Sequence, residues 1–294
     1  MDNELVKQSD LSEGRSQFGL IVLRFKKNRA AVASLFIMAI IILLVIAAPL
    51  YANYDDAVTQ NIANRLQSPS AEHIFGTDAF GRDLFTRVVF GGRISLLAGL
   101  GVVISGLIFG TALGSIAGYF GGNVDTIIMR FVDIFMAVPP MLLSLAVVTA
   151  LGGGTVNIII ALMVADIPRY ARIVRSSILP LRSQEFIEAC KLYGTGNARI
   201  IFKHILPNGI GPVVVTATLA LGTAILTISA LGFLGVGVPA PTPEWGTIIA
   251  DNRFYIRFFP YLGIIPGIAI ALSVMCVNLI GDGLRDALDP KMKK

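Results

Sequence analysis

AAVASLFIMAIIILLVIAAPL, residues 30–50, runs for 21 residues without a single Asp, Glu, Lys or Arg. That is the length a helix needs to cross the hydrocarbon core of a bilayer, about 20 residues. A secretory leader has an apolar stretch of only about 7–15 residues and ends at a small-residue cleavage site. Here Ala47-Ala48 runs into Pro49, so the segment reads as an uncleaved first span.

Four further stretches lack charge: 94–124, 134–165, 205–243 and 258–281. The second of these is interrupted by Gly152-Gly153-Gly154, three glycines that end one helix and permit a tight turn before the next. Six spans result, at 30–50, 94–118, 127–151, 156–178, 212–234 and 260–282. The chain as a whole agrees, with 54% hydrophobic side chains, 15% charged ones and a mean hydropathy of +0.74. A soluble domain carries about 25% charge. Disorder, a disulfide scaffold and a soluble enzyme are excluded by the same values, and Cys190 and Cys276 set no framework.

Lys and Arg set the orientation. With the N-terminus placed in the cytoplasm, 18 of the 24 basic residues fall inside; Arg65, Arg82, Arg87, Arg93, Arg253 and Arg257 fall outside. Both termini are therefore expected to be cytoplasmic, a parity that six spans satisfy and five do not. The net charge of +5 is read as an orientation signal, with no nucleic-acid partner. Residues 1–29 form a cytoplasmic segment in which Phe18, Ile21, Val22 and Phe25 keep helical spacing beside Arg24, Lys26, Lys27 and Arg29. This fits either an interfacial helix on an anionic leaflet or a basic flank to the first span. The remaining expected divisions are an extracytoplasmic segment 51–93, a five-helix core 94–284 and a cytoplasmic tail 285–294.

No stretch reads GxxxxGK[ST], HExxH or CxxC, so a P-loop of the chain's own and a metal site are not expected. His73 and His204 fall in loops on opposite sides. Residues 179–211 carry the most ordered content outside the spans. Ser183 is positioned to cap a short helix with Glu185 and Glu188 in its early turns, where negative charge suits the helix dipole. Gly194 and Gly196 stop that helix, Asn197 is positioned to cap a second, and Pro207 ends it. Two short helices outside the bilayer suit either docking in a partner's groove or lying on headgroups.

The residues here resemble a known family. Glu188-Ala189-Cys190, three residues, Gly194, nine residues, His204, one residue, Leu206-Pro207 is similar to the EAA loop of bacterial ABC importer permeases, with Cys190 in place of Ala and His204 in place of Ile. HIFGTDAFGRDLFTRVVFGGRISL at 73–96, GYFGGNVDTIIMRFVDI at 118–134, ALGFLGVGVPAPTPEWGTII at 230–249 and NLIGDGLRDALDP at 278–290 resemble the peptide and nickel importer permeases, in the second or "C" subunit.

The resemblance implies an all-α polytopic membrane protein with the type I ABC importer permease fold, in the bacterial inner membrane. It implies a homologous second permease, two ATP-binding subunits that hold ATP and Mg, and an extracytoplasmic substrate-binding protein as partners. It further implies that loop 183–207 docks in an ATPase cleft through Glu188, Ala189, Cys190, Gly194, His204, Leu206 and Pro207. The chain itself is then a permease and no enzyme. Peptides are the first expectation for cargo and nickel or a metal chelate the alternative, since the outer segment before GTDAFGRD is short.

Charges within the spans are expensive and mark functional candidates. Asp166, Arg169, Arg172 and Arg175 recur every third residue on the fourth span. The arginines are expected to snorkel to the surface, and Asp166 is a pathway candidate paired with an arginine one turn away. GTDAFGRD reads as a rigid turn outside the membrane, and Trp245 suits the outer interface. A proton-coupled secondary transporter would favour unpaired acids near mid-membrane, but the centres of spans one, two, five and six are uncharged. A membrane-embedded enzyme would need a nucleophile, base or metal set at one depth, and none is present in the sequence.

Overall fold

The computed structural model describes residues 17–288, and side chains from residue 19 onward. Residues 1–16 and 289–294, which hold much of the expected cytoplasmic segment 1–29 and of the tail 285–294, lie outside the described residues. Every regular element among the described residues is helical. They are α1 (Gln17–Lys27), α2 (Arg29–Tyr51), α3 (Tyr54–Val58), a 3₁₀ turn (Ile62–Asn64), α4 (Leu84–Phe120), α5 (Gly122–Met136), α6 (Pro140–Leu151) and α7 (Thr155–Ile178). Then come α8 (Glu185–Leu192), α9 (Asn197–Arg199), a π-helical stretch (Ile200–Ile205), α10 (Leu206–Gly209), α11 (Gly211–Phe233), α12 (Trp245–Asn252) and α13 (Tyr261–Leu288).

Among the described residues, four helices, α2, α4, α11 and α13, are long and apolar enough to cross a membrane. Their outward faces carry the bulky apolar side chains that a soluble protein would bury, such as Phe36, Leu43, Ile46, Leu97, Ile108 and Ile268. This is what lipid as solvent dictates: contact with acyl chains costs an apolar side chain nothing, and each helix satisfies its own backbone.

The expected third span, 127–151, is not one straight helix. α5 and α6 meet at 85°, and only when counted as one broken span do they raise the number of apolar crossings to five. Pro139 and Pro140 account for the break, because a proline forces the preceding residue out of the helical region and removes a backbone donor. α7 has the length of a crossing but carries Asp166, Arg169, Arg172 and Arg175. The expected second span is extended too. α4 begins at Leu84, ten residues before the uncharged run, because Asp83 caps it (Oδ1 accepts from Thr86 N at 2.8 Å) and because its early arginine Arg87 is buried against acids.

What holds α4 to α7 is a seam of glycines at every fourth position: Gly106, Gly110, Gly114 and Gly118. A Cβ at Gly110 would stand 2.4 Å from Tyr170 Cβ, and one at Gly114 would stand 2.4 Å from the Ala171 carbonyl oxygen. The two backbones therefore approach as closely as helices in a membrane do, where association rests on van der Waals contact between small residues. Around this seam Ala98, Val102, Val103, Ile158, Ala161, Leu162, Ala220, Ala224 and Ile228 form the central core.

α1 covers the residues at helical spacing before the first span. It lies against α13, where the Phe25 ring comes within 3.1 Å of the position a Cβ on Gly283 would take. Asn28 then caps α2 by accepting from Ala31 N at 3.1 Å.

Candidate functional site

Two structured regions sit at opposite ends of α4. At the Phe120 end is the knob formed by residues 179–211. α8 buries Ile187 in a cluster with Tyr119, Val174, Ile178, Ile200, Ile201, Ile205 and Val213. Apolar side chains spaced by helical turns thus fasten the knob to the ends of α4 and α7. Polar contacts add to this: Tyr119 Oη donates to Asn197 Oδ1 at 2.8 Å, and Lys191 lies over the Tyr119 ring.

The end of α8 shows why a glycine is needed at 194. Gly194 takes φ +72°, its N–H donates to Lys191 O at 3.0 Å, and Thr195 N donates to Cys190 O at 3.0 Å. This is a Schellman closure, whose left-handed residue is usually glycine. Nothing lies within 4 Å of the space a Gly194 side chain would take, so the constraint is conformational and does not come from crowding.

Three expectations for this region are corrected. Ser183 does not cap α8: Gln184 occupies the cap without a side-chain bond, and Ser183 Oγ reaches back to Pro180 O at 3.5 Å. Asn197 does not cap the next helix, because its side chain is engaged by Tyr119. Pro207 does not end a helix either. The chain remains helical from α9 to α10, and the missing N–H and the bulk of the proline ring are absorbed by the π-helical widening over Ile200–Ile205. Asn208 Nδ2 donates to His204 O at 2.6 Å, and Leu206 N donates to Ile201 O.

Of the candidate residues, Glu188 is exposed, Ala189, Cys190, His204 and Leu206 are half-buried, and Gly194 and Pro207 are exposed. The sequence reading missed the apolar tip they frame. Leu192 is 88% exposed and Tyr193 89% exposed, with Phe202 and Phe186 also open. Bulky apolar groups outside the spans, on a rigidly fastened element, form a surface suited to a partner.

Beside the knob, α5 is tied to α7 by two ion pairs: Arg175 to Asp125 at 2.5 Å through both nitrogens, and Arg172 to Asp133 at 2.5 Å. Arg172 and Arg175 therefore reach across to α5. Asp166 forms no ion pair among the described residues, contrary to the expected pairing along its own helix: Arg172 and Arg175 turn to α5 acids, and Arg169, one turn along the same helix, makes no contact of ion-pair length with it. It stays half-buried, near Gly106.

At the Leu84 end, GTDAFGRD is a rigid turn as expected, but its charges are inside. Asp78, Arg82 and Arg87 are all buried. Arg82 Nε bonds Asp78 Oδ2 at 2.6 Å, its Nη2 reaches Asp251 at 2.8 Å, and Arg87 Nη2 reaches the same carboxylate at 3.2 Å. Arg87 Nη1 also donates to Ala57 O at 2.8 Å. Asp78 Oδ1 accepts from Phe80 N and Arg82 N. Arg82 and Arg87, counted among the outside orientation charges, are thus members of a neutral quartet, buried except for Asp251, joining the turn, α4 and α12. His73 is paired as well, with Nδ1 3.0 Å from Asp83.

α12 folds back into the bundle. Trp245 is 1% exposed and donates from Nε1 to Val88 O at 2.8 Å, so it is a core residue and no interface anchor. Glu244 caps α12, accepting from Gly246 N and Thr247 N at 3.0 Å, and takes Ser95 Oγ and Ser229 Oγ as further donors. Burial pushes its carboxyl pKa up, while those four hydrogen bonds pull it down. No group of three His, Cys, Asp or Glu suited to a metal occurs among the described residues.

Residues 110–294 match the family described as binding-protein-dependent transport system inner membrane component, and residues 16–69 match the N-terminal TM domain of oligopeptide transport permease C. The chain is 52% identical over 270 residues to the dipeptide transport system permease protein DppC of Alkalihalophilus pseudofirmus, covering 92% of this chain and 88% of that one. It is 42% identical to the oligopeptide transport system permease protein OppC of Bacillus subtilis, covering 93% and 89%. It is 41% identical to the glutathione transport system permease protein GsiD of Pectobacterium atrosepticum, covering 92% and 90%. An inward-facing structure of the MetNI methionine ABC transporter aligns with a TM-score of 0.58 at 20% identity, over 70% of this chain and 98% of that one, which shows the shared fold. A family match across more than half of the sequence, relatives matched along nearly all of it and the common fold agree: the chain belongs to the inner membrane components of binding-protein-dependent transport systems, on the dipeptide and oligopeptide permease C branch.

Proposed function

We propose that this chain is a transmembrane permease subunit of an ABC importer carrying di- or oligopeptides into the cytoplasm. It pairs with a homologous second permease, receives cargo from an extracytoplasmic binding protein and is driven by two ATP-binding subunits. ATP and Mg are held by those subunits, and this chain performs no hydrolysis. In this reading α2, α4, the broken pair α5–α6, α7, α11 and α13 give six crossings with both termini cytoplasmic, in keeping with the 18 basic residues placed on that side.

The observation that carries the reading is the knob. Its inner face is fastened to α4 and α7, while Leu192 and Tyr193 stand almost wholly exposed at its tip. A partner that closes on that tip moves the helices with it. ATP drives alternation because the ATP-bound partner has different affinities for the two states of the permease; equal affinity would shift nothing. Peptide cargo is supported by the similarity to dipeptide and oligopeptide transport permeases.

The experiment is uptake of a labelled dipeptide into proteoliposomes containing the assembled transporter and its binding protein. Uptake is expected to require ATP and to stop when the ATPase subunits are omitted. Uptake by this chain and its permease partner on a proton gradient alone would overturn the reading in favour of secondary transport.

A further inference from the structure

A concavity of about 890 Å³ lies where α2 ends and α4 begins, at the opposite end of α4 from the knob. Its walls divide by chemistry. Leu50, Ile94 and Leu97 form the side facing the bilayer, and Leu50 and Leu97 are 88% and 63% exposed. Asn53, Tyr54, Arg93 and Thr242 form the side facing the loops. An apolar wall joined to a polar one at the end of a membrane span matches the acyl-to-headgroup boundary of a lipid leaflet.

Arg93 gives the polar wall a sign. Among the described residues it makes no hydrogen bond or ion pair, and its guanidinium rests only over the Phe90 ring, 6.0 Å from the centroid. Its neighbours Arg82 and Arg87, one to three turns away, are neutralised by Asp78 and Asp251. A permanently charged group at this depth, with five donors and no acceptor, is complementary to a phosphate.

We propose that this concavity holds one glycerophospholipid, with its headgroup phosphate on the Arg93 guanidinium and an acyl chain along Leu97, Ile94 and Leu50. One uncompensated cation favours a net-anionic headgroup such as phosphatidylglycerol. The lipid wedges between the end of α2 and the first turns of α4, beside Pro243 of the segment leading into α12.

The test uses the assembled transporter reconstituted in phosphatidylcholine nanodiscs doped with a photoactivatable phosphatidylglycerol carrying its diazirine near the headgroup. Labelled peptides are mapped by mass spectrometry. The expected result is labelling concentrated at residues 49–54 and 90–97, competed by unlabelled phosphatidylglycerol but not by millimolar inorganic phosphate. Arg93→Gln is expected to lower labelling there roughly ten-fold, the size of losing one charge-assisted contact. Labelling elsewhere on the chain should stay unchanged, and Arg93→Lys should restore part of the loss. Equal labelling in Arg93→Gln overturns the proposal. So does competition by free phosphate, or cross-linking of Leu97 to the second permease, which would make the concavity a protein interface.

Discussion

Asp78→Asn isolates what the buried quartet contributes. The substitution keeps the shape of the side chain and an oxygen for Phe80 N and Arg82 N, but removes one of two negative charges. Arg82 and Arg87 would then share Asp251 alone, a carboxylate 26% exposed and so partly screened. Removing one partner of a buried pair costs about 3–5 kcal/mol, and the partial exposure of Asp251 favours the lower end, near 3. For a chain of this size about 3 kcal/mol corresponds to a fall in Tm of about 6–12 °C. Thermal unfolding of the assembled transporter, followed by fluorescence-detected size exclusion with the fluorophore on this chain, reads that shift. Arg87→Met in the same molecule restores neutrality, so the double variant should lose less than the sum of the two single losses, with a coupling of about 1–3 kcal/mol. A single variant that melts within about 1 °C of the parent, or two variants whose losses simply add, would refute the claim that these charges depend on one another.

Gly114→Leu should destabilise by about 1–3 kcal/mol in the same assay, because its first carbon meets the Ala171 carbonyl at 2.4 Å and neither backbone has room to yield; an unchanged Tm would mean that the seam is looser than described. Gly194→Trp forces a non-glycine residue to φ +72° at about 1–2 kcal/mol. The protein should still insert in the membrane but lose ATPase-subunit association or substrate-stimulated hydrolysis, and normal coupled transport would contradict the docking role of the knob. Tyr193→Asp should weaken co-purification of the ATPase subunits while leaving Tm unchanged, since that side chain is 89% exposed. Glu244, with its pKa raised by burial, binds its proton more tightly folded than unfolded, so its contribution to stability falls as pH climbs from the ordinary glutamate value toward the raised one. Glu244→Gln should flatten that part of the Tm–pH profile, and an identical slope in both proteins would count against a perturbed carboxyl.

How far the sequence carried the reading can be argued residue by residue. The spans at 30–50 and 212–234 coincide with α2 and α11 to within one residue, because an uncharged run of that length has few other uses, and 156–178 coincides with α7 although it carries four charges. The bend between α5 and α6 was written in Pro139-Pro140, and a reading of proline geometry finds it. The α4–α7 seam was equally visible as glycines every fourth residue from 106 to 118. Ser183 and Asn197 misled for a different reason. They are capping residue types near capping positions, but α8 starts one residue later, with Gln184 at its cap and no side-chain bond, and the Tyr119 hydroxyl, 78 residues away in sequence, takes the Asn197 side chain. The burial of Arg82, Arg87, Glu244 and Trp245 depends on α12 folding back between α4 and α11. No local pattern encodes that, and charge counted along a chain assigns such residues to the surface by default.

α4 is a single helix of 37 residues, about 55 Å from end to end at 1.5 Å per residue. Tyr119 lashes one end to the knob and the Arg87 guanidinium clamps the other to the quartet. The glycine seam between them presses backbone on backbone, which leaves no soft side-chain layer to absorb a push. Such a helix behaves as a lever: a rotation of about 5° about its midpoint carries the two ends about 2.4 Å in opposite directions. A small inward pull at one face of the membrane therefore arrives at the other as an outward swing of similar size, delivered through one uninterrupted rod.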